Sequence, residues 1–394
     1  MSTLKENFFR FQAQTTSFAS AFEVSHAKGN YIYGKDGKAY LDFASGVSAN
    51  TLGHGHPKIL NALHEQIDKH LHVMVYGEYA QDMPVALCKK LADLLPEPLD
   101  TTYLVNSGAE AIDGALKLAK RITGRGEVIS AKMSYHGNTH GALSVSGNES
   151  FKRAFRPLLP DIHFIEFNNF NHIEQISEQT AGVILETIQG AAGFIQPENG
   201  WLKAVKQRCT EVGALLILDE IQPGFGRTGK LFAFEHYDVV PDILVMGKGM
   251  GGGMPIGAFT ASYDHMKLLQ SNPKLGHITT FGGNPVVAAA ALAVLEEISS
   301  TDLMAQTLEK EKLFRELLDH RNILSLPGKG LMLAPELSSP QITLEVAKRC
   351  MDKGLILFWL LYETQFLRIT PPLTLSVEEI KIGCSIINEV LDSI

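Results

Sequence analysis

Apolar residues in the middle of the chain occur in short continuous runs, separated by segments of helical or turn character. The runs are bounded by Gly, Pro, Asn or Asp and are too short for typical helices, which is characteristic of strands buried on both faces. They lie at Thr102–Val105, Val128–Ala131, His163–Phe167, Gly182–Glu186, Ala214–Leu218 and Ile243–Met246. This alternation predicts an α/β fold in which helices cover both faces of a mostly parallel sheet of about seven strands.

The two ends of the chain have a different pattern. Tyr31–Tyr33 and Ala39–Phe43 flank an Asp-Gly turn and predict a hairpin. Val286–Ile298 and Leu303–Leu318 predict two long helices, after which the pattern is typical of a smaller α+β unit. We therefore predict an N-terminal arm and hairpin that form part of a small domain, a large domain, and a C-terminal small domain, over residues 1–50, 51–284 and 285–394.

Composition narrows the class of protein. The 394 residues are 45% hydrophobic with 35 glycines and a formal net charge of −8, and no basic stripe indicates a nucleic-acid partner. The four cysteines are far apart, which predicts reduced thiols and no metal site. Without a signal-like or membrane-length apolar segment, the sequence predicts a cytoplasmic protein with no membrane association.

Two of the predicted strands are each followed by a chemically distinctive residue. Asp219 follows Ala214–Leu218, and Lys248 follows Ile243–Met246 after one glycine. Because ligands bind beyond the carboxyl ends of parallel strands, both side chains are expected to face one crevice. Burial would lower the pKa of the lysine and make it a nucleophile. The alternatives are a solvated loop lysine and an aspartate that caps the following turn.

The segment Asn106–Glu110 reads N-S-G-A-E and lies between a predicted strand and a predicted helix. Backbone N–H groups at a helix start, together with a serine and a glycine, can bind a phosphate group. An ordinary capped helix start fits the same residues.

Two glycine-rich stretches, Gly224–Gly229 and Gly247–Gly252, match the G-x-G-x-x-G spacing of dinucleotide-binding proteins. Neither is expected to open a helix, because Pro255 follows the second and an apolar, strand-like segment follows the first. A P-loop is also excluded, since Asp242 and Gly249 stand where that motif requires Gly and Ser or Thr. An NAD-binding dehydrogenase is the alternative from another class of enzyme, and it depends on these matches.

Pyridoxal 5'-phosphate (PLP) requires an amine that forms an imine, a carboxylate at its ring nitrogen and a phosphate-binding cradle. Beyond those three features, the chain resembles the class III, fold-type-I PLP-dependent aminotransferases of the ornithine, acetylornithine and 4-aminobutyrate group. The resemblance covers nearly the whole chain through segments in the family's order. They are G-K-D-G-K-A-Y-L-D-F-A-S-G, N-S-G-A-E-A-I-D-G-A-L-K-L-A, Y-H-G-N-T, L-E-T-I-Q-G, L-D-E-I-Q-P-G-F-G-R-T-G, G-K-G-M-G-G-G-M-P-I-G-A, T-T-F-G-G-N-P and L-R-I-T-P-P-L.

The resemblance implies roles for individual residues. Lys248 would be the imine lysine and the proton-transfer base, Asp219 would pair with the ring nitrogen, and Arg368 would bind a substrate carboxylate. The remaining cofactor contacts would come from Ser107, Gly108, Ala109, Tyr135, His136, Glu186, Gln222 and Thr280. Thr280 would reach the phosphate of a neighbouring subunit, which implies a homodimer with shared active sites. The resemblance also implies that the large domain binds PLP.

Two positions depart from the family pattern and concern the substrate. Ala191 stands where many ornithine- and aminobutyrate-type members have a glutamate that covers the arginine. Asn138 stands where acetylornithine-type members have an arginine for the distal carboxylate. We interpret Tyr76, Val47 and Phe225 as pocket walls, with burial in the core as the alternative.

The predicted activity is transfer of an amino group from an amino acid or ω-amino donor to a 2-oxo acid, with 2-oxoglutarate as the expected acceptor. The donors implied are ornithine, acetylornithine, 4-aminobutyrate or a related amine, and the mechanism is ping-pong. A PLP-dependent decarboxylase or aminomutase would carry the same cofactor residues and is the alternative within PLP chemistry.

Overall fold

The computed structural model describes residues 3–74 and 77–394. Its strands are β1 (Val24–Lys28), β2 (Tyr31–Gly34), β3 (Ala39–Asp42), β4 (Thr101–Val105), β5 (Glu127–Ala131), β6 (Ile162–Ile165), β7 (Thr180–Glu186), β8 (Leu215–Asp219), β9 (Ile243–Gly247), β10 (Gly257–Ala261), β11 (Gly328–Lys329), β12 (Met332–Leu333), β13 (Leu355–Ile356), β14 (Phe358–Trp359) and β15 (Leu367–Arg368). Its α-helices are α1 (Leu4–Phe11), α2 (Ser45–Ser48), α3 (Pro57–Lys69), α4 (Asp82–Leu94), α5 (Gly108–Thr123), α6 (His140–Val145), α7 (Trp201–Val212), α8 (Tyr263–Met266), α9 (Pro285–Ser300), α10 (Leu303–Leu317), α11 (Pro340–Asp352) and α12 (Val377–Asp392).

A seven-stranded sheet in the order β4-β10-β9-β8-β7-β5-β6 forms the centre of the fold. The strands from β9 to β6 are parallel, whereas β10 is antiparallel to both of its neighbours. The α/β class with a seven-stranded, mostly parallel sheet is therefore confirmed. In the register of β7, β8 and β9, Glu186 lies opposite Asp219 and Asp219 lies opposite Val245. The ends of these three strands thus bring their polar residues to one edge.

Both faces of this sheet are buried, which explains why its strands read as continuous apolar runs. In β8, Leu216 and Leu218 belong to the core on the side of α7, while Leu215 and Ile217 belong to the core on the side of α5. Because successive side chains of a strand point to opposite faces, each core takes alternate residues. Side chains on both faces of the strand are therefore buried, and the sequence shows no alternation of apolar and polar residues.

A second, four-stranded sheet in the order β1-β2-β3-β13 joins the N-terminal hairpin to the C-terminal part of the chain. Its core includes Leu41 and Phe43 together with residues of α10, α11 and α12. Helix α9 instead packs on α3 and α4, within the core of the large sheet. The division at residues 50 and 284 stays a prediction, and α9 shares a core with elements that precede it.

Among the described residues, no helix combines the length and the apolar composition that crossing a bilayer requires.

Candidate active site

A cavity of about 630 Å³ lies where the carboxyl ends of β7, β8 and β9 meet the start of α5. Residues from the N- and C-terminal parts of the chain, among them Val47, Phe358 and Arg368, line it as well. The cavity brings together most of the residues that the sequence predicted for the site. Those that line it are Val47, Gly108, Ala109, Tyr135, His136, Asn138, Glu186, Ala191, Asp219, Gln222, Lys248 and Arg368.

Three predicted residues of the described chain do not line the cavity. Ser107 does not line the cavity but caps α5, its Oγ accepting a hydrogen bond from the Glu110 backbone N–H at 3.2 Å. Thr280 is exposed and does not line the cavity. For Phe225 the structure shows the core alternative, because its ring is buried and packs edge-on against Phe232. Tyr76 lies outside the described residues.

Asp219 is a buried carboxylate whose two oxygens both have hydrogen-bonding partners. His136 Nδ1 lies 2.7 Å from its Oδ2, and both side chains are buried. The backbone N–H of Ile221 donates to Oδ1 at 3.0 Å. These contacts fix the orientation of the carboxylate at the end of β8.

Glu186, at the end of β7, is held by two backbone donors. The N–H groups of Tyr135 and Gly190 donate to its two oxygens at 3.0 and 2.8 Å. The pKa of Glu186 is raised to about 7, chiefly by burial; the nearby His136 opposes this shift, and the charge of Asp219 adds to it. At neutral pH a substantial fraction of this carboxyl group is therefore protonated, which limits the negative charge in the cavity.

Lys248 follows directly on β9 and has a backbone φ of +41°. This left-handed conformation is unfavourable for a residue with a Cβ atom. The pKa of the amine is lowered to about 8, chiefly by burial and also by the positive charge of Arg368, while Asp219 and Glu186 act in the opposite direction. At neutral pH a larger fraction of this amine is neutral than for an ordinary lysine, so it can act as a nucleophile or base.

The start of α5 faces the cavity through Gly108 and Ala109. The first N–H groups of a helix have no partner within the helix, and the helix dipole favours an anion there. At Gly108 an added Cβ atom would lie 2.6 Å from Ile221 Cδ1, so a larger residue would push against the wall beside Asp219. Where it faces the cavity, this helix start can accommodate a phosphate group.

Arg368 lies on β15 opposite Phe358 of β14 and is only 7% exposed. Its Nε is buried without a hydrogen-bond partner, and no carboxylate of the described chain lies within ion-pair distance of the guanidinium. Burial lowers its pKa to about 10, which still leaves it charged at neutral pH. An unpaired buried cation of this kind is suited to bind a carboxylate from a ligand.

Ala191 lies in the same cavity and brings no carboxylate to Arg368. Its methyl group is buried, and its backbone oxygen accepts hydrogen bonds from the N–H groups of Tyr362 and Glu363 at 3.2 and 3.4 Å. The carboxylate of Glu363 is held by Gln365 Nε2 at 3.0 Å. The turn that contains Ala191 is therefore hydrogen-bonded to the loop before β15 and brings no carboxylate to the arginine.

Two amide side chains complete the polar part of the cavity. Gln222 Nε2 donates to Ser48 Oγ at 3.4 Å, and Asn138 Nδ2 donates to the hydroxyl of Tyr135 at 3.3 Å. The Tyr135 ring contacts Tyr362 edge-on at 6.3 Å between centroids. These groups can orient a ligand through hydrogen bonds and aromatic contacts, but they carry no charge.

Sequence reasoning missed the apolar residues at the cavity mouth, which are Phe358, Trp359 and Leu361. Their segment, F-W-L-L, has the composition of a buried strand, and nothing in its periodicity distinguishes a cavity wall from a core strand. The sequence feature that could have indicated them is their position within ten residues of Arg368.

Comparison with known proteins identifies the chemistry. The sequence profile of the class III aminotransferases matches residues 12–391. The chain belongs to the class III aminotransferase family. Enzymes of this family depend on PLP, and so does this aminotransferase. Membership agrees with the resemblance derived from the sequence motifs and gives no support to the dehydrogenase, decarboxylase or aminomutase alternatives.

Individual relatives align with most of the length of this class III aminotransferase. It is 36% identical to the acetylornithine aminotransferase of Caldanaerobacter subterraneus over 93% of this chain and 94% of that protein. It is also 36% identical to a [LysW]-aminoadipate semialdehyde/glutamate semialdehyde transaminase of Sulfurisphaera tokodaii, over 80% and 82%. The ornithine aminotransferase of Toxoplasma gondii superposes with a TM-score of 0.91 at 28% identity, covering 99% of this chain and 94% of that one.

The residues of the cavity fit PLP. A reactive amine, a fixed carboxylate and a helix start suited to phosphate line one space of about 630 Å³. Arg368, whose Nε has no hydrogen-bond partner, lines that same space.

Proposed function

We propose that this aminotransferase transfers the amino group of an ornithine-, acetylornithine- or 4-aminobutyrate-type donor to a 2-oxo acid, for which the family resemblance implies 2-oxoglutarate. In the overall reaction the donor exchanges its amino group for the carbonyl oxygen of the acceptor. The observation that supports this most directly is the grouping of Lys248, Asp219 and the unpaired Arg368 around one cavity. The similarity to acetylornithine and aminoadipate semialdehyde transaminases supports the class of donor.

PLP, when bound, supplies an electron-withdrawing ring that stabilises negative charge on the carbon bearing the transferred amine. We assign to Lys248 the covalent attachment of the cofactor and the movement of the proton that the reaction removes and returns. A pKa of about 8 suits this role, since an efficient proton carrier titrates near the pH at which it works.

Asp219 is assigned to the ring nitrogen of the cofactor. Its contacts with His136 and the Ile221 N–H orient the carboxylate before the cofactor arrives. His136 acts as a positioning residue in this proposal, because its contact with Oδ2 holds the Asp219 carboxylate in place. Glu186 belongs to the polar surroundings, where its raised pKa keeps the number of negative charges low.

The other cofactor contacts follow from the same arrangement. Gly108 and Ala109 are assigned to the phosphate through their backbone N–H groups, with Ser107 fixing the helix start. Gln222 is assigned to the phenolic oxygen and Tyr135 to the face of the ring. Both side chains line the cavity, which supports these roles.

Arg368 is assigned to a substrate carboxylate. Its fork-shaped guanidinium can make two parallel hydrogen bonds with a carboxylate and stays charged at neutral pH. With Ala191 in place of a glutamate, nothing in the described chain neutralises the arginine before the substrate binds.

The active unit is proposed to be a homodimer in which Thr280 contacts the cofactor phosphate of the neighbouring subunit. The position of Thr280 on the surface, next to the exposed Phe281 and Ile278, supports an interface there. We also infer a cytoplasmic location, in accord with four free cysteines.

The test of the mechanism is Lys248→Ala, with the exposed Lys230→Ala as its control. Loss of the amine is expected to abolish turnover and the visible absorbance of enzyme-bound PLP, whereas the control retains both. A Lys248→Ala protein with full activity would overturn the assignment.

A further inference from the structure

The cavity contains a small number of positive charges. Among the described residues that line it, Lys248 and Arg368 are the cationic side chains, and His136 is the other basic one. Both ring nitrogens of His136 face protein groups, with Asp219 at 2.7 Å and Ser130 Oγ at 3.5 Å. Since Lys248 is assigned to the cofactor, Arg368 is left as the cation available to a substrate.

Two other arginines near this region in the sequence do not add a second cation. Arg153 and Arg156 are exposed and do not line the cavity. Arg156 makes a two-pronged ion pair with Glu149, at 2.9 Å from Nε and 2.8 Å from Nη2. At position 138 the cavity has a neutral amide that bonds to the Tyr135 hydroxyl.

The outer wall of the cavity is apolar. Val47, Phe358, Trp359 and Leu361 line it, and each of them keeps more than a third of its surface exposed. A second carboxylate placed against this wall would lose water without gaining a cationic partner, which is unfavourable. An alkyl group in the same place would gain from the removal of apolar surface from water.

We propose that the cavity accepts one carboxylate per substrate, on Arg368, with an uncharged remainder against Val47, Phe358, Trp359 and Leu361. Monocarboxylic amino acids and 2-oxo acids are therefore better substrates than dicarboxylic ones of equal length, such as glutamate and 2-oxoglutarate. This proposal rests on the transaminase function proposed above and departs from it in one respect: a monocarboxylic 2-oxo acid takes the place of the 2-oxoglutarate acceptor that the family resemblance implies.

The proposal is tested with the PLP-loaded enzyme and a matched pair of donors. L-Norvaline and L-glutamate have the same carbon chain length and differ in the second carboxylate. The decay of the PLP absorbance in single turnovers gives an apparent second-order rate constant for each donor. Norvaline is expected to exceed glutamate by on the order of tenfold, the factor that one charge-assisted hydrogen bond commonly contributes. 2-Oxovalerate and 2-oxoglutarate form the corresponding pair of acceptors.

Variants at position 138 locate the effect. Asn138→Arg places a second cation in the cavity and should lower the norvaline-to-glutamate ratio by on the order of tenfold. The neutral Asn138→Gln variant should leave that ratio within about twofold, on the same free-energy scale.

The outcomes separate this proposal from the one on which it rests. The panel also includes N-acetylornithine, ornithine and 4-aminobutyrate. If none of these amines changes the PLP absorbance, the proposed transaminase function fails. If one or more reacts while the native enzyme favours glutamate over norvaline, only the one-carboxylate proposal is overturned, and a cation from outside the described residues serves the second carboxylate.

Discussion

At the scale of single residues, the electrostatics of the site depend on two cations in one cavity. Arg368 lowers the pKa of Lys248, while Asp219 and Glu186 raise it. Burial has the largest effect and outweighs both acids, which is why the amine has a pKa of about 8. The lysine is thereby prepared for reaction before the cofactor binds.

The rate at which PLP combines with the cofactor-free enzyme should depend on this pKa. A protonated Lys248 cannot attack, so the rate constant is expected to rise about tenfold per pH unit below the pKa. It should level off above about pH 8, where the amine is neutral. Stopped-flow absorbance across pH 6 to 10 measures this profile, and a midpoint near the ordinary lysine value would contradict it.

Removing the charge of Arg368 should shift that profile. In Arg368→Gln the pKa of Lys248 is expected to rise, because the arginine lowers it in the native protein. The midpoint of PLP incorporation should then move above pH 8. The exposed Arg153→Gln, outside the cavity, is the control and should leave the midpoint in place. Equal midpoints for all three proteins would mean that the two cations are not coupled.

Sequence reasoning predicted that Asp219 and Lys248 share one crevice, and both line the same cavity, but it could not assign every cavity wall. Asp219 and Lys248 follow buried strands, and the geometry of parallel strands brings such residues to the same edge. Phe225 and Val47 have equally apolar side chains, yet one is buried in the core and the other lines the cavity. Which of two apolar residues faces a cavity depends on packing between distant segments, and that information is absent from local patterns.

At the scale of elements, the start of α5 combines a structural and a binding role. Ser107 satisfies the Glu110 N–H, and the adjacent Gly108 and Ala109 face the cavity. Substituting an N-cap serine by alanine commonly costs about 1 kcal/mol of stability. Here the same substitution also disturbs the proposed phosphate site.

A comparison of two helix caps separates these roles. Ser339 caps α11 in the same manner, its Oγ accepting from the Ile342 N–H at 3.3 Å. Ser107→Ala and Ser339→Ala should each lower the free energy of unfolding of the cofactor-free protein by about 1 kcal/mol. Only Ser107→Ala should also weaken PLP binding, as measured by fluorescence titration. Equal PLP affinities in the two variants would count against the phosphate role.

Element prediction succeeded where strands are apolar throughout and missed one strand of the central sheet. Gly257–Ala261 forms β10, antiparallel between β4 and β9. It follows a glycine-rich turn and Pro255, which indicate a loop in a local reading. Its place is decided by the neighbouring strands, which provide hydrogen-bonding partners on both sides.

At the scale of the whole molecule, the residues on either side of Thr280 in the sequence contribute to an exposed apolar region, in which Phe281 lines a pocket with Leu71 and Ile278 lines another with Tyr79. Leu71, Met74, Tyr79, Ile278 and Phe281 are all exposed in the single chain. Exposed apolar groups in this number indicate an interface, and the homodimer proposed above would cover them.

A charge within this surface should prevent association. Phe281 is 58% exposed, and Phe281→Asp is expected to convert a dimer of about twice the 43.1 kDa chain mass into a monomer with weaker PLP binding. Leu344, 54% exposed on α11, is the matched control, and Leu344→Asp should remain dimeric. Light scattering after size-exclusion chromatography measures both masses, and a native protein that is monomeric would refute the assignment.

The pairing of the two ends of the chain could be anticipated only in part. The hairpin of β2 and β3 was predicted from its Asp-Gly turn and is confirmed. Its parallel pairing with β13, more than 300 residues later, has no signal in the sequence. Pairing between such distant strands results from the collapse of the whole chain, so the boundaries of the domains stay a prediction.

The left-handed backbone of Lys248 has a consequence for how this chain can evolve. Glycine or asparagine would adopt that φ of +41° more easily, and neither would bring an amine into a poorly hydrated space. Thermodynamics therefore favours replacing the residue that we assign to the chemistry, while natural selection for catalysis retains it. In a descendant released from that selection, position 248 should be among the first to drift, and a glycine there would mark a lineage that has lost the enzyme's activity while keeping its fold.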